Sequence, residues 1–299
     1  MKFTKQQFEE RYPNNDACLD KIFALRFGNE KECPKCTKPF DYKRVSFKSK
    51  VKGARRMAYY CTNCANQIYP LAGTIFEKTT TPLKDWFYAL YLFTATRNGV
   101  SAKELERQLN VCYTTALRMA HQLKKLMANR TQGTLNGIVE VDETYIGGKS
   151  TNMHAHKRKE MNRLGGMGKI KVFGMMQRGG QIITEIVEKN DGETLKPIIQ
   201  ERVEPKTTVV TDSMGAYKDL DQSDFTHEVV NHVQNEWVRG TFHTNGIEGF
   251  WSQLKRMIKG THIKVSKKHL QKYIDECATR YVLRNEGGDM FEIILGQVA

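Results

Sequence analysis

Apolar positions recur at helical spacing through the first part of the chain and give way to strand-like runs in the second. Asp16 to Gly28 sets Leu19, Ile22, Phe23 and Phe27 on one helical face and stops at a glycine, which predicts a short packing helix. From Lys31 to about Leu71 the pattern is short and irregular, with Pro34, Pro39 and a β-like run from Met57 to Tyr60. Thr81-Pro82 then opens a strongly apolar helix through Trp86, Phe87, Leu90, Tyr91 and Phe93, ending at Asn98-Gly99. Ser101 to Leu109, a break at Asn110-Val111 and a second helix from Tyr113 to about Met127 have helix-turn-helix spacing. The polar, glycine-containing stretch Arg130 to Gly137 precedes the change of period and predicts a domain boundary. Beyond it, Ile138 to Asp142, Ile170 to Met176, Ile182 to Val187 and Thr208 to Thr211 read as strands. Thr194 to Arg202 and Gly246 to Lys259 read as helices. That succession predicts an α/β layer fold.

Charge narrows the partner. The 299 residues are 39% hydrophobic, enough for a buried core, and 47 Lys plus Arg against 33 Asp plus Glu give a net charge of +14. A polyanion is expected, nucleic acid ahead of an anionic membrane. Met1 to Pro13 is charged and lacks an apolar leader region, and no later run approaches the roughly 18 apolar residues of a membrane span. The expectation is a cytoplasmic, nucleoid-associated protein with no membrane partner. The basic stretches Lys43 to Arg56 and Lys149 to Lys171 would supply phosphate contacts, although either one alone reads equally as a solvated charge run.

Of the seven cysteines, Cys18, Cys112 and Cys277 stand alone in helical patterns, and four form the pairs Cys33-Pro-Lys-Cys36 and Cys61-Thr-Asn-Cys64. Two such tight turns can converge their thiolates on one tetrahedral, structural Zn²⁺. Two disulfides, or a redox pair, are the other readings of the same spacing.

Carboxylates carry the second chemistry. Ile138-Val-Glu-Val-Asp142 ends an apolar run on an aspartate, and Val209-Val-Thr-Asp212 repeats the design ahead of a glycine-containing turn. Taken singly, either aspartate also reads as a cap or turn residue. In the segment from His243 to Arg256, Ile247, Phe250, Trp251, Leu254 and Ile258 form an apolar stripe, while Asn245, Glu248, Ser252 and Lys255 share another face. That face offers a metal ligand followed by a cation; in isolation it is also an ordinary solvated face with Asn245 as N-cap. Phosphodiester chemistry explains why such groups would be gathered. Two Mg²⁺ or Mn²⁺ ions about 3.5 to 4 Å apart generate the nucleophile and stabilise the leaving oxygen, and they take hard oxygen ligands.

Together, the two Cys-x-x-Cys pairs, Leu71-Ala-Gly-Thr-Ile-Phe76, Gly99-Val-Ser-Ala102, Val139-Glu-Val-Asp-Glu-Thr-Tyr-Ile-Gly-Gly148, Thr211-Asp212, the block His243 to Ser252 and Lys255-Arg256 carry a resemblance. The chain resembles bacterial insertion-sequence DDE transposases with an N-terminal zinc ribbon, the group related to the Merlin elements. The resemblance implies N-terminal helices over 1–30, a zinc ribbon over 31–72 and a helix-turn-helix region over 80–130. An RNase H-like catalytic domain over 138–285 and a C-terminal tail over 286–299 would follow. It implies Asp142, Asp212 and Glu248 as the metal-binding triad and Lys255 as a helper cation. Asn245 is held as a candidate for the same ligand role as Glu248, and Glu140 and Glu143 flank the first position. Tyr113, Thr114, Thr115 and Arg118 are the candidates for reading terminal inverted repeats, with Lys255 and Arg256 as further DNA contacts. The implied partners are double-stranded element ends and target DNA, bound by a homo-oligomer. Hydrolysis only, as in an RNase H-like nuclease or resolvase, and DNA-binding regulation by a transposase derivative are the alternatives to strand cleavage and transfer.

Overall fold

The structure is a computed structural model that describes residues 3–48, 55–128, 133–148, 154, 168–218, 220, 225–231, 234, 236–284 and 288–298. It divides into two compact units, Met1–Leu126 with Gly287–Ala299, and Met127–Glu286. Most of the basic stretch from Lys149 to Lys171 lies outside the described residues, as does part of that from Lys43 to Arg56.

The first unit is built on aromatic packing. Helices α1 (Lys5–Arg11) and α2 (Asn15–Phe27) precede a small antiparallel sheet of β1 (Tyr42–Lys48), β2 (Arg55–Cys61) and β3 (Gln67–Ile68). The apolar helix α3 (Leu83–Ala95) buries Trp86, Phe87, Leu90 and Phe93 as its pattern predicts. Helices α4 (Ala102–Leu109) and α5 (Tyr113–Ala128) follow. Ser101 caps α4 by accepting from the Glu104 N–H at 3.1 Å, and Asn110 ends it in the left-handed conformation at φ 52°, so the break between these helices is made by local chemistry. The segment read as a tail carries helix α9 (Met290–Leu295). Its Phe291 is fully buried among Phe3, Phe8, Tyr12 and Phe87, and Glu292 accepts from Arg11 and Tyr12.

The second unit is a mixed α/β layer fold. Strands β4 (Ile138–Ile146), β5 (Ile170–Gln177), β6 (Ile182–Val187), β7 (Thr208–Asp212) and β8 (Thr226–Val230) form one sheet in the order β6-β5-β4-β7-β8. β5 and β6 are antiparallel additions to β4, whereas β4, β7 and β8 run parallel. Helix α6 (Gly192–Arg202), capped by Asp191, buries Leu195 and Ile199 with Val139, Val141 and Val209 on one side of the sheet. Helices α7 (Asn245–Met257) and α8 (Lys267–Leu283) bury Ile247, Phe250, Leu254, Leu270 and Ile274 with Ile146 and Val172 on the other. Residues of opposite parity on β4 therefore serve different cores.

Two sequence expectations change here. The strand expected to end at Asp142 continues to Ile146, because Thr144 and Ile146 keep the alternation of buried side chains. Asp142 is thus a mid-strand residue. Strand β8 lies outside the strands that the apolar pattern predicts, since Thr226-His-Glu-Val-Val230 is polar for half its length and occupies a sheet edge.

Candidate functional site

The parallel pairing of β4 with β7 matches Ile138 with Thr208, Val139 with Val209 and Glu140 with Val210. Continued for two more residues, that register sets Asp142 level with Asp212. Glu248 comes from the first turns of α7, where Thr244 precedes the helix and donates its hydroxyl to the Glu248 carboxylate at 3.0 Å. The N-cap position belongs to Thr244, so Asn245 is the first helical residue and not the cap that its sequence suggests. Both Asn245 and Glu248 are exposed.

The charges of these groups act on one another. Burial pushes the Asp142 carboxyl up to about 7, aided by the negative charges of Asp212 and Glu248 and opposed by hydrogen bonds from the Glu143 backbone and Trp251. Burial likewise pushes Glu143 up to about 8, with Asp142 and Asp212 adding to the effect. Lys255, two turns along α7 from Glu248, is lowered by desolvation and by Lys259 and Lys169, against the attraction of Asp142. The charges of Asp212 and Glu248 act on Asp142, yet among the described residues only the four cysteines bring three or more ligand atoms within 4.8 Å of one another; the acids offer hard oxygen donors of the kind divalent cations take, with lysines nearby.

Each acidic side chain in the cluster accepts from a neutral donor. The Trp251 indole N–H donates to Asp142 Oδ2 at 3.0 Å, the Met214 backbone N–H to Asp212 Oδ1 at 3.0 Å, and the Tyr217 hydroxyl to Glu143. Glu140 is different. It is 1% exposed, accepts from Arg178 Nε at 3.2 Å and Nη2 at 3.0 Å, and receives the Ile247 backbone N–H at 3.0 Å. A buried carboxylate paired to arginine and sealing a helix start is a strut. Gly246 permits it, because a Cβ there would lie 2.7 Å from Glu140 Oε2. Arg178 also donates to the Thr241 carbonyl at 2.7 Å, tying the turn after β5 to the loop before α7.

In the first unit, the four cysteine sulfurs lie within 4.8 Å of one another. They cross-pair, Cys33 with Cys64 at 3.7 Å and Cys36 with Cys61 at 3.9 Å, well beyond the roughly 2.05 Å of a disulfide. The two turns share a backbone: the residue after each second cysteine, Thr37 or Ala65, has positive φ, and its N–H donates to the carbonyl of the first cysteine at 2.9 Å. The Cys33 thiol is lowered to about 6; burial opposes this, but bonds with the Tyr42 hydroxyl and the backbone N–H groups of Cys36 and Lys35 prevail. Such a set fits one four-coordinate metal ion.

On α5, Tyr113, Thr114 and Arg118 are exposed and Thr115 is half-buried. Lys103 Nζ sits 4.8 Å from the Tyr113 ring, and the Arg118 guanidinium lies 5.7 Å from the Trp86 ring, so part of this face also covers the unit's own core. Arg256 is exposed on α7. In the basic stretch before β2, Arg44 is engaged with Asp16 and Asp20.

Residues 134–281 match the model of the ISXO2-like transposase domain. The chain is 29% identical over 288 residues, 92% of its length and 93% of the relative's, to a protein in the transposable element ISH50 of Halobacterium salinarum. It is 34% identical over 101 residues, 34% of its length and 80% of the relative's, to a transposase-like protein of Haemophilus influenzae. Among solved structures, a chain of the simian T-cell lymphotropic virus intasome in complex with PP2A regulatory subunit B56 gamma aligns with 62% of this chain and 63% of its own. The identity is 14% and the TM-score 0.30.

Proposed function

Because the chain belongs to the ISXO2-like family of insertion-sequence DDE transposases, we propose that it binds the terminal inverted repeats of its element and catalyses metal-dependent strand cleavage and strand transfer. The observation that carries this reading is the gathering of Asp142, Asp212 and Glu248 from two adjacent parallel strands and one helix, close enough for the last two to raise the first. Asp142, Asp212 and Glu248 would hold two Mg²⁺ or Mn²⁺ ions, with Asn245 as the alternative to Glu248. When bound, such ions supply a nucleophile at neutral pH and stabilise charge on the attacked and leaving oxygens.

The chain's own groups then have defined tasks. Trp251, Met214, Tyr217 and Thr244 hold the carboxylates in place; Lys255, with Lys169 and Lys259 nearby, meets the phosphate. Water attacks the phosphodiester at the element end and frees a 3′-hydroxyl. That hydroxyl attacks a target phosphate, one P–O bond forming as another breaks, so no energy source is required. The mixed sheet with helices on both faces is compatible with an RNase H-like catalytic domain. The cysteine module is read as a zinc ribbon, and α4–α5 as the helix-turn-helix that presents Tyr113, Thr114, Thr115 and Arg118 to the repeats. A homo-oligomer would pair two ends.

Strand transfer tests the reading. A labelled element-end oligonucleotide and a plasmid target are incubated with Mg²⁺ and wild type, Asp142→Ala, Asp212→Ala, Glu248→Ala or Asn245→Ala. Joining by wild type, with loss of joining but not of DNA binding in the first three variants, supports the proposal. Cutting without joining points to a nuclease, and binding without reaction to a regulator.

A further inference from the structure

We propose that Trp251 is a positioning residue that fixes the metal-facing orientation of Asp142 through a neutral hydrogen bond, in a slot that only a glycine at position 174 leaves open. The inference rests on the reading of Asp142 as a metal ligand. Asp142 and Gly174 are direct partners in the antiparallel β4–β5 ladder, so their Cα substituents project from the same face of the sheet. Trp251 descends on that face from α7, 3% exposed and in contact with Phe250 at a centroid distance of 4.9 Å. Its ring fills the place of a side chain at 174: a Cβ there would lie 2.5 Å from Cζ2 and 2.6 Å from Cη2. The same edge of the indole carries Nε1, which lies 3.0 Å from Asp142 Oδ2.

The choice of donor has a physical consequence. A carboxylate that waits for cations must be held against free rotation, yet an arginine or lysine in direct contact would add a positive charge that repels the incoming ion. Glu140, two residues earlier on the same strand and facing the same helix, shows the contrast, since it is locked by the Arg178 guanidinium. An indole N–H supplies direction without charge. It occupies only one lone pair of Oδ2, and the ring's burial keeps the donor from swinging away.

Trp251→Phe keeps the aromatic ring and removes only the donor; Gly174→Ala keeps the donor and displaces it. The full chain is titrated with Mn²⁺ by calorimetry, alongside gel-shift binding to element-end DNA and thermal unfolding. Trp251→Phe is expected to weaken Mn²⁺ binding roughly tenfold, the range of lost outer-shell partners, with DNA binding and unfolding temperature near wild type. Gly174→Ala is expected to weaken it at least as much. Wild-type Mn²⁺ affinity in Trp251→Phe overturns the proposal. So does a loss of fold or DNA binding that accompanies the weakened affinity, because the tryptophan would then act through packing. Asp142→Ala separates the two levels: if it binds Mn²⁺ like wild type, the reading of the metal site fails, whatever Trp251→Phe does.

Discussion

The cysteine cluster and the carboxylate cluster solve the same problem in opposite ways. The first gathers, from two copies of one tight turn, four cysteines that could hold one metal ion, and its backbone, down to the positive φ of Thr37 and Ala65, is preset around the sulfurs. The second draws Asp142 from β4, Asp212 from β7 and Glu248 from α7, three elements brought together by the β4–β7 pairing, the bond from the Ile247 N–H to Glu140 and the packing of the second unit. Burial, with the neighbouring negative charges adding to it, raises the Asp142 and Glu143 carboxyls, and each accepts from a neutral donor. Thiolates in the closed set surround an ion completely, which suits support. Carboxylates kept apart but oriented leave room for water and phosphate, which suits reaction.

The sharpest way to break this comparison is to empty the thiolate set. Cys36→Ser with Cys61→Ser is expected to abolish zinc retention and open the β1–β3 module to protease, because structural zinc in such modules contributes about 10 to 16 kcal/mol of apparent binding free energy. Metal analysis and limited proteolysis check it, and retained zinc would remove the structural role. Next in size, Asp142→Ala or Asp212→Ala should lower strand transfer on the order of 10³-fold or more while the protein stays folded, the loss of several kcal/mol of transition-state stabilisation. A fold that collapses in either variant would make the carboxylates structural, like Glu140.

Gly174→Ala should destabilise the second unit by about 1 to 3 kcal/mol, the usual cost of overpacking, measured by denaturant unfolding. The smallest effect distinguishes the clusters by pH. Asp142 holds its proton in the folded chain up to about 7 against an ordinary 3.8, so the folded state binds more protons than the unfolded one in that window. Stability of the metal-free protein therefore falls as pH rises from about 4 to 7 and stays lowered above it. Asp142→Asn should recover about 1 to 3 kcal/mol at pH 8 and little at pH 4, as read by urea unfolding in chelator. A flat difference across pH would place the cost of Asp142 elsewhere than in its charge.

Legibility followed the range of the interactions. The α3 helix, the α4–α5 break at Asn110 and the Ile247–Leu254 stripe were readable because period and caps are local. The role of Glu140 was not. Three acids at 140, 142 and 143 look interchangeable along the chain, and Arg178 and the Ile247 N–H, which remove Glu140 from the set, arrive from distant elements. The Tyr217 bond to Glu143 was equally hidden, since both residues take their places only when β4 and β7 pair.

The sequence alone determined the ligand types, the twin turns that each hold a pair of cysteines, and the helical and strand periods, because each depends on neighbours a few residues apart. Which carboxylates became a site and which a strut, and that Trp251 reaches Asp142 across Gly174, were decided by tertiary structure. Sheet register and helix docking set those distances, and neither is written in any single segment.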